Sequence, residues 1–238
     1  MAKKNTTSEP MHLPLSEITK TDDEVKPSWR GWIHTGVLPI AVAGGIVLVV
    51  LADGFTAKIA AAVFFASSIL LFGTSAIYHR FNWKPKAKKA LKRFDHANIF
   101  LLIAGSYTPI TLLALPQDKA LILIVAIWAT ALLGIGFRVF WLGAPRWLYV
   151  IIYILMGWAA VVYLPDFINV NLAMMILILA GGLLYTLGAV FYALKKPNPI
   201  PGHFGFHEIF HSFTVLAFLC HWSAVLIICL NPVPGSFA

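Results

Sequence analysis

Seven long apolar stretches decide what this chain can fold into. They cover roughly residues 33–52, 59–79, 96–115, 120–138, 147–165, 171–194 and 207–230. A helix needs about 20 apolar residues to cross the hydrocarbon core of a membrane. Breakers or charges such as Asp53-Gly54 and Pro165-Asp166 bound the stretches. The pattern therefore predicts an all-α membrane protein, a seven-transmembrane helix bundle.

The composition excludes several other classes of protein. Hydrophobic residues make up 59% of the chain and charged residues 12%, whereas a soluble domain is about half apolar and a quarter charged. A soluble enzyme, a disordered chain and a secreted disulfide scaffold are all disfavoured. Cys220 and Cys229 lie nine residues apart in one apolar stretch, on opposite faces of a helix, and are expected to be inert thiols.

The basic residues orient the predicted bundle. All but two of the 18 Lys and Arg residues, Lys58 and Lys119, fall in the N-terminal tail or in the loops on the same side of the membrane. The positive-inside rule then puts the N-terminus in the cytoplasm and, with seven helices, the C-terminus outside. The basic run 84–93 is expected to contact anionic membrane lipids, and we expect no nucleic acid partner.

The chain divides into three parts by composition. Residues 1–30 are rich in Ser, Thr, Pro and charge and are expected to form a cytoplasmic, disordered tail. Residues 31–232 form the predicted transmembrane domain, and residues 233–238 form a short C-terminal tail.

Ionisable and polar side chains gather at one predicted membrane depth. Ser75 and His79 lie near the end of the second stretch, Asp95 precedes the third, and His207 and His211 begin the seventh. The alternating direction of the helices puts all five near the cytoplasmic face. Because such residues are costly inside a membrane, their convergence favours a functional site.

The spacing of the histidines is typical of a metal site. His207 and His211, four residues apart, point the same way from a helix, as in helical pairs that bind zinc. His79 supplies a third imidazole and leaves the fourth position to water, which is the pattern of catalytic zinc. An imidazole set also suits zinc better than magnesium or calcium.

The sequence does not decide the role of several other residues near this site. Glu208 is a candidate for a residue that contacts the metal ligands without binding the metal itself. His34, His96 and His203 flank the same boundary as interfacial or supporting groups. His221, about 15 Å further along its helix than His211, is too deep to share the metal.

Four motifs in order give the chain a family resemblance over about residues 30–230. They are Ser-Ala-Ile-Tyr-His-Arg at 75–80, Asp95-His96 followed by Ile99-Phe100, Gly-Ser-Tyr-Thr-Pro at 105–109, and Phe-Gly-Phe-His-Glu-Ile-Phe-His at 204–211. The chain resembles the bacterial hemolysin III proteins, which group with the progesterone and adipoQ receptors and, more distantly, with alkaline ceramidases. Residues 29–36 depart from the string with which this family commonly opens.

The resemblance carries expectations of its own. It implies an intramembrane zinc held by His79, His207 and His211, with Asp95 holding a zinc-bound water and Ser75 beside it. It also implies a multi-pass protein of the bacterial inner (cytoplasmic) membrane with a role in membrane homeostasis.

Two functions of different class fit these residues. In the first, the protein is a zinc-dependent hydrolase of a lipid amide or ester, with Asp95 as general base and Ser75 donating to the oxyanion. In the second, it is a non-enzymatic membrane sensor in which zinc holds helices together. A pore-forming cytolysin is a weaker alternative, because the apolar stretches carry no polar stripe to line a channel.

Overall fold

The computed structural model describes residues 27–141 and 143–237, apart from the side chain of Arg146. Of the predicted disordered tail, residues 1–26 lie outside the described residues. Within the described residues the fold is helical, with one isolated bridge between Ile200 and Phe204. Among the residues that the structure describes, seven helical spans are long and apolar enough to cross a membrane, so the predicted seven-helix bundle is confirmed. Its orientation stays a prediction.

Eight α-helices build the seven spans. They are α1 Trp32–Leu51, α2 Phe55–Arg80, α3 Pro85–Ala114, α4 Gln117–Phe140, α5 Arg146–Gly157, α6 Leu164–Val170, α7 Leu172–Leu194 and α8 Phe206–Leu230. A 3₁₀ helix, Ala159–Tyr163, joins α5 to α6, and these three pieces together form the fifth span. The end of the bundle where α2 stops and α8 starts is called the histidine end below, and the opposite end is called the far end.

Helix α3 corrects the sequence-based boundary. The apolar stretch began at residue 96, but the helix begins at Pro85, eleven residues earlier. Pro85 is at the first helical turn, where its missing N–H costs nothing, and the Lys, Ala and Leu residues that follow are good helix formers. Asp95 therefore lies well inside a helix and not at its start.

The fifth span is interrupted where a tyrosine from α3 enters its backbone. The Tyr107 hydroxyl donates to the carbonyl oxygen of Gly157 at 2.8 Å and accepts from the N–H of Ala160 at 2.9 Å. The side chain thereby replaces backbone bonds of the helix, which is a known cause of helix breaks. Hydropathy alone predicted an unbroken helix over 147–165 and could not reveal this insertion.

Helix α3 occupies the centre of the bundle. It packs against α2, α4, α5 and α8, while α8 also packs against α7 and α1. In its apolar stretch 78% of residues are buried, against 44% or less in the other spans. Asn98 fixes α3 to α2, donating to the Leu70 carbonyl oxygen at 2.8 Å and the Thr74 hydroxyl at 2.9 Å.

The outer surface of the bundle is apolar, as a lipid-facing surface requires. Large side chains such as Phe55, Leu133 and Phe140 are almost fully exposed there. Arg138 was expected to be a loop charge that orients the chain, but it is buried at 1% exposure. Its guanidinium lies 4.2 Å from the centre of the Tyr149 ring, so a cation–π contact takes the place of water.

The packing of α3 on α4 is testable with a pair of glycines on α4. A methyl group added at Gly134 would collide with the ring of Phe100, which is fully buried, whereas nothing lies within 4 Å of one added at Gly136. We expect Gly134→Ala to lower the free energy of unfolding by about 1–3 kcal/mol. Gly136→Ala should leave it unchanged or raise it, because alanine favours helix. Unfolding of the purified variants in detergent measures both, and equal stability of the two would contradict the packing.

Candidate metal centre

Three imidazoles converge at the histidine end of the bundle. One ligand nitrogen from each of His79, His207 and His211 lies within 4.8 Å of the others. Helix α2 supplies His79 from its last turn, and α8 supplies the other two from its first two turns. His79 and His211 are buried and His207 is half-buried. These three residues could hold a metal ion.

The distances suit a small tetrahedral ion. The Nε2 atoms of His79 and His207 are 3.3 Å apart. Two imidazole nitrogens, each about 2.0–2.1 Å from a tetrahedral zinc, are separated by about 3.3 Å. The donor set contains nitrogen alone, without thiolate, and so fits zinc among the common metals. The residues present therefore fit the predicted group.

A glycine allows the chain to pass close to this cluster. Gly31 precedes α1 with a φ of 82°, a left-handed conformation that glycine adopts without strain. A Cβ atom there would lie 2.8 Å from the Cβ of His79. The start of α1 can therefore lie directly against the end of α2.

Asp95 is the carboxylate closest to the cluster. Its Oδ2 atom lies 3.7 Å from Nε2 of His79 and 4.0 Å from Nδ1 of His96. The side chain is 15% exposed, so it is nearly enclosed but still reachable. The structure thus places Asp95 at the edge of the cluster, beside His79.

His34 belongs to this site, although sequence reasoning gave it no definite role. Its Nδ1 atom forms a 2.8 Å hydrogen bond with the hydroxyl of Ser75. Its ring stacks on that of His211, with 3.9 Å between centroids and 13° between planes. Parallel stacked rings direct their nitrogen lone pairs alongside each other, so His34 and His211 cannot share one ion. Residues 29–36 depart from the first motif common in this family, so the motif comparison did not assign a role to His34.

The other histidines to which the sequence gives no definite role do not point at the cluster. Nδ1 of His96 donates to the Lys92 carbonyl oxygen at 2.7 Å, which occupies the nitrogen nearer to Asp95. His203 is exposed in the loop before α8. His221 bonds to the Ile178 carbonyl oxygen at 3.3 Å, deep inside the bundle.

Glu208 has a structural partner instead of a supporting role at the metal ligands. Its Oε1 atom accepts from Nε of Arg30 at 2.9 Å, and its Oε2 atom accepts from the N–H of Gly205 at 2.9 Å. The first bond fastens the start of α1 to α8, and the second caps α8. Glu208 is fully buried, so this ion pair fixes the start of α1, which carries His34, relative to α8, which carries His207 and His211.

A cavity leads from the cluster into the bundle. Its volume is about 110 Å³. At the histidine end its wall includes His34, Ser75, Asp95, His207 and His211. Its remaining wall is mainly apolar and aromatic, from α3, α5, α7 and α8. This is the usual construction of a site for a small apolar molecule.

Comparison with known proteins gives relatives over most of the chain. A family model described as Haemolysin-III related matches residues 23–222. The Hemolysin-3 homolog of Bacillus subtilis (strain 168) is 35% identical over 170 residues, 71% of this chain and 76% of the relative. Hemolysin-3 of Bacillus cereus is 35% identical over 161 residues, 67% of this chain and 70% of the relative.

A more distant relative comes from animals. The Monocyte to macrophage differentiation factor of Homo sapiens is 26% identical over 198 residues, 82% of this chain and 80% of the relative. The match of the family model contains the three histidines of the cluster and the residues that line the cavity.

The metal capacity of the cluster can be measured directly. We expect purified wild-type protein to contain about one zinc per chain by mass spectrometry. His207→Ala/His211→Ala should lose it, because two of three ligands are removed. His203→Ala is the matched control, since this imidazole lies in an exposed loop, and it should keep the metal. Folded, chelator-free protein without metal would rule the site out.

The Arg30–Glu208 pair should matter for stability. Arg30→Met leaves the buried Glu208 carboxylate without its cation, and we expect a loss of about 3 kcal/mol in unfolding free energy. The control is Lys119→Met at the far end, where Lys119 and Asp166 pair at 2.7 Å but are 40% and 28% exposed. There the loss should stay below about 1 kcal/mol. Adding Glu208→Gln to Arg30→Met should recover part of the stability, and equal losses in the two single variants would contradict the assignment.

Proposed function

Because this chain belongs to the haemolysin III family of multi-pass membrane proteins, we propose that it is a zinc-dependent hydrolase of a lipid amide or ester. The observation that carries the proposal is that a cluster able to hold a metal opens into an apolar cavity. The proposed ligands are His79, His207 and His211. A purely structural metal has no need of such a cavity.

The reaction needs a Lewis acid, a base and an oxyanion donor in one place. A bound zinc supplies Lewis acidity, activating water and polarising a carbonyl group. Asp95 accepts the proton that water loses as its oxygen adds to the carbonyl carbon. The same carboxyl then returns the proton to the leaving nitrogen or oxygen as the C–N or C–O bond breaks.

The Ser75 hydroxyl is proposed to donate a hydrogen bond to the oxygen of the reacting carbonyl. That role requires the hydrogen bond with His34 to run from His34 Nδ1–H to the Ser75 oxygen. The serine proton is then free to point into the cavity, whose wall includes Ser75. His34 in this way acts as a positioning residue that leaves Ser75 a donor.

The cavity wall supplies the remaining requirement, a place for the acyl chain. Apolar side chains from four helices surround the space beyond the cluster, so an acyl chain can pass from the bilayer into the cavity without exposing its CH₂ groups to water. The proposed substrate is accordingly a membrane lipid. Its hydrolysis would alter membrane composition, in keeping with a part in membrane homeostasis.

The location follows from the sequence. The basic loops between spans favour an N-terminus in the cytoplasm. We therefore place the protein in the bacterial inner membrane with the histidine end towards the cytoplasm, where water and the products of hydrolysis are exchanged.

One observation favours a second candidate function, a sensor with structural zinc. The proposed ligands come from α2 and α8, so that a metal would tie together helices that are far apart in sequence. In that case the metal would stabilise one arrangement of the bundle, and Asp95 would fix water without chemistry. Variants of Asp95 separate the two functions.

Asp95→Asn keeps the size of the side chain but removes the base. We expect turnover of a long-chain N-acyl amide or ester to fall by about 10²–10⁴-fold, with metal content unchanged. Asp166→Asn, a matched change at the far end, should have no effect on turnover. Release of fatty acid by purified protein in detergent measures both. Full activity of Asp95→Asn would remove the proposed base, and absence of fatty acid release from zinc-loaded wild type across amides and esters would favour the sensor.

A further inference from the structure

The deep part of the cavity contains polar groups that the proposed hydrolysis does not use. Tyr185 of α7 and His221 of α8 are part of its wall, and both are near the middle of their spans. Polar side chains at that depth of a membrane are costly unless they have partners. Their partners, or the lack of them, therefore carry information about what the cavity binds.

The Tyr185 hydroxyl has no hydrogen-bond partner among the described residues of the protein. Its ring packs edge-on against the imidazole of His221, with 5.4 Å between centroids. A phenylalanine could make the same ring contact, so packing alone does not account for the hydroxyl. In an apolar cavity, a hydroxyl without a partner costs stability.

His221 adds a second unsatisfied atom. The Ile178 carbonyl oxygen only accepts, so the Nε2 atom that contacts it at 3.3 Å carries the proton. Nδ1 is then an acceptor, and it is buried without a partner. A Cβ atom at Gly181 would collide with the His221 ring, so the glycine provides the room that the imidazole occupies.

Neighbouring polar groups in the same wall are already satisfied. The Tyr107 hydroxyl both donates and accepts. The Thr186 hydroxyl donates to the Gly182 carbonyl oxygen at 2.8 Å and accepts from Nε1 of Trp158 at 2.9 Å. Among the described residues of the cavity wall at this depth, the unsatisfied polar groups are thus the Tyr185 hydroxyl and Nδ1 of His221.

We propose that Tyr185 and His221 form a polar subsite that binds a hydroxyl group in the middle of the acyl chain, which makes the cavity selective for hydroxylated chains. A ligand hydroxyl is both donor and acceptor, and so it can satisfy the phenol of Tyr185 in either direction. This inference rests on the proposed function for the position of the chain, whose carbonyl lies at the histidine cluster.

The position of that hydroxyl follows from the helices. Tyr185 lies seven residues from Tyr192, whose ring is 5.6 Å from that of His207, and His221 lies ten residues from His211. At 1.5 Å per residue these spacings are about 10 and 15 Å. An extended chain advances about 1.2 Å per bond, so the subsite faces about the eighth to twelfth carbon from the carbonyl.

The test is equilibrium binding of free fatty acids to the purified full chain in detergent, by isothermal titration calorimetry. The probes are octadecanoic acid and its 10-hydroxy and 3-hydroxy derivatives. We expect wild type to bind the 10-hydroxy acid about tenfold more tightly than the plain acid, and to show no such preference for the 3-hydroxy acid. Tyr185→Phe removes the hydroxyl alone and should abolish the preference without weakening binding of the plain acid.

Tyr163→Phe is the matched control, because this tyrosine lies outside the cavity wall, and it should retain the preference. Equal binding of the three acids by wild type, no binding of any of them, or an unchanged preference in Tyr185→Phe would overturn the subsite. Fatty acid release from a plain N-acyl amide is measured in parallel. If the protein releases fatty acid but binds the three acids equally, the subsite is contradicted and the hydrolase proposal is supported. If it binds the 10-hydroxy acid selectively but releases no fatty acid, the subsite is supported and the hydrolase proposal is contradicted.

Discussion

The hydrocarbon core of a membrane offers no hydrogen bonds, and the rest of this structure depends on that constraint. Several polar side chains inside the bundle bond to one another or to backbone. Asn98 bonds from α3 to α2, Tyr107 enters the backbone of the fifth span, and Arg30 pairs with Glu208 across α1 and α8. Each of these contacts fixes one helix relative to another, so the polar groups give the apolar bundle its specific arrangement. The candidate metal centre lies where three such fixed helices meet.

That arrangement explains why the same residue type has several roles. His79, His207 and His211 are aimed at one point, His34 is held parallel to His211 and bonded to Ser75, and His96 is turned towards a backbone carbonyl. The chemistry of the imidazole is identical in each case. What differs is the partner of each ring nitrogen, which determines whether that nitrogen is free to bind a metal.

Hydropathy and charge predicted the seven spans, because crossing a membrane leaves a strong signal in composition. The spacing of His207 and His211, with the shared depth of His79 and Asp95, predicted which groups would come together. The start of α3 was missed because hydropathy does not detect a helix in the charged segment before residue 96, although its residues favour helix. The break in the fifth span was not predictable, since it depends on two tertiary hydrogen bonds of Tyr107. The positions of His34, Glu208 and Arg138 were missed for a similar reason. Their contacts join residues up to 178 positions apart, and no local pattern encodes such pairs.

The cavity connects two depths of the bundle that differ in how completely their polar groups are satisfied. At the histidine end, the three imidazoles could hold a metal ion, and the proposed hydrolysis uses Asp95 as the base and Ser75 as a hydrogen-bond donor. Deeper in, the Tyr107 and Thr186 hydroxyls each donate and accept, while Nδ1 of His221 is buried without a partner and the Tyr185 hydroxyl bonds to no described residue. A uniformly apolar wall would bind any acyl chain according to its length alone. Unsatisfied groups at one depth impose a penalty that only a chain with a polar group at that position removes, and so they convert general affinity for lipid into selection among lipids.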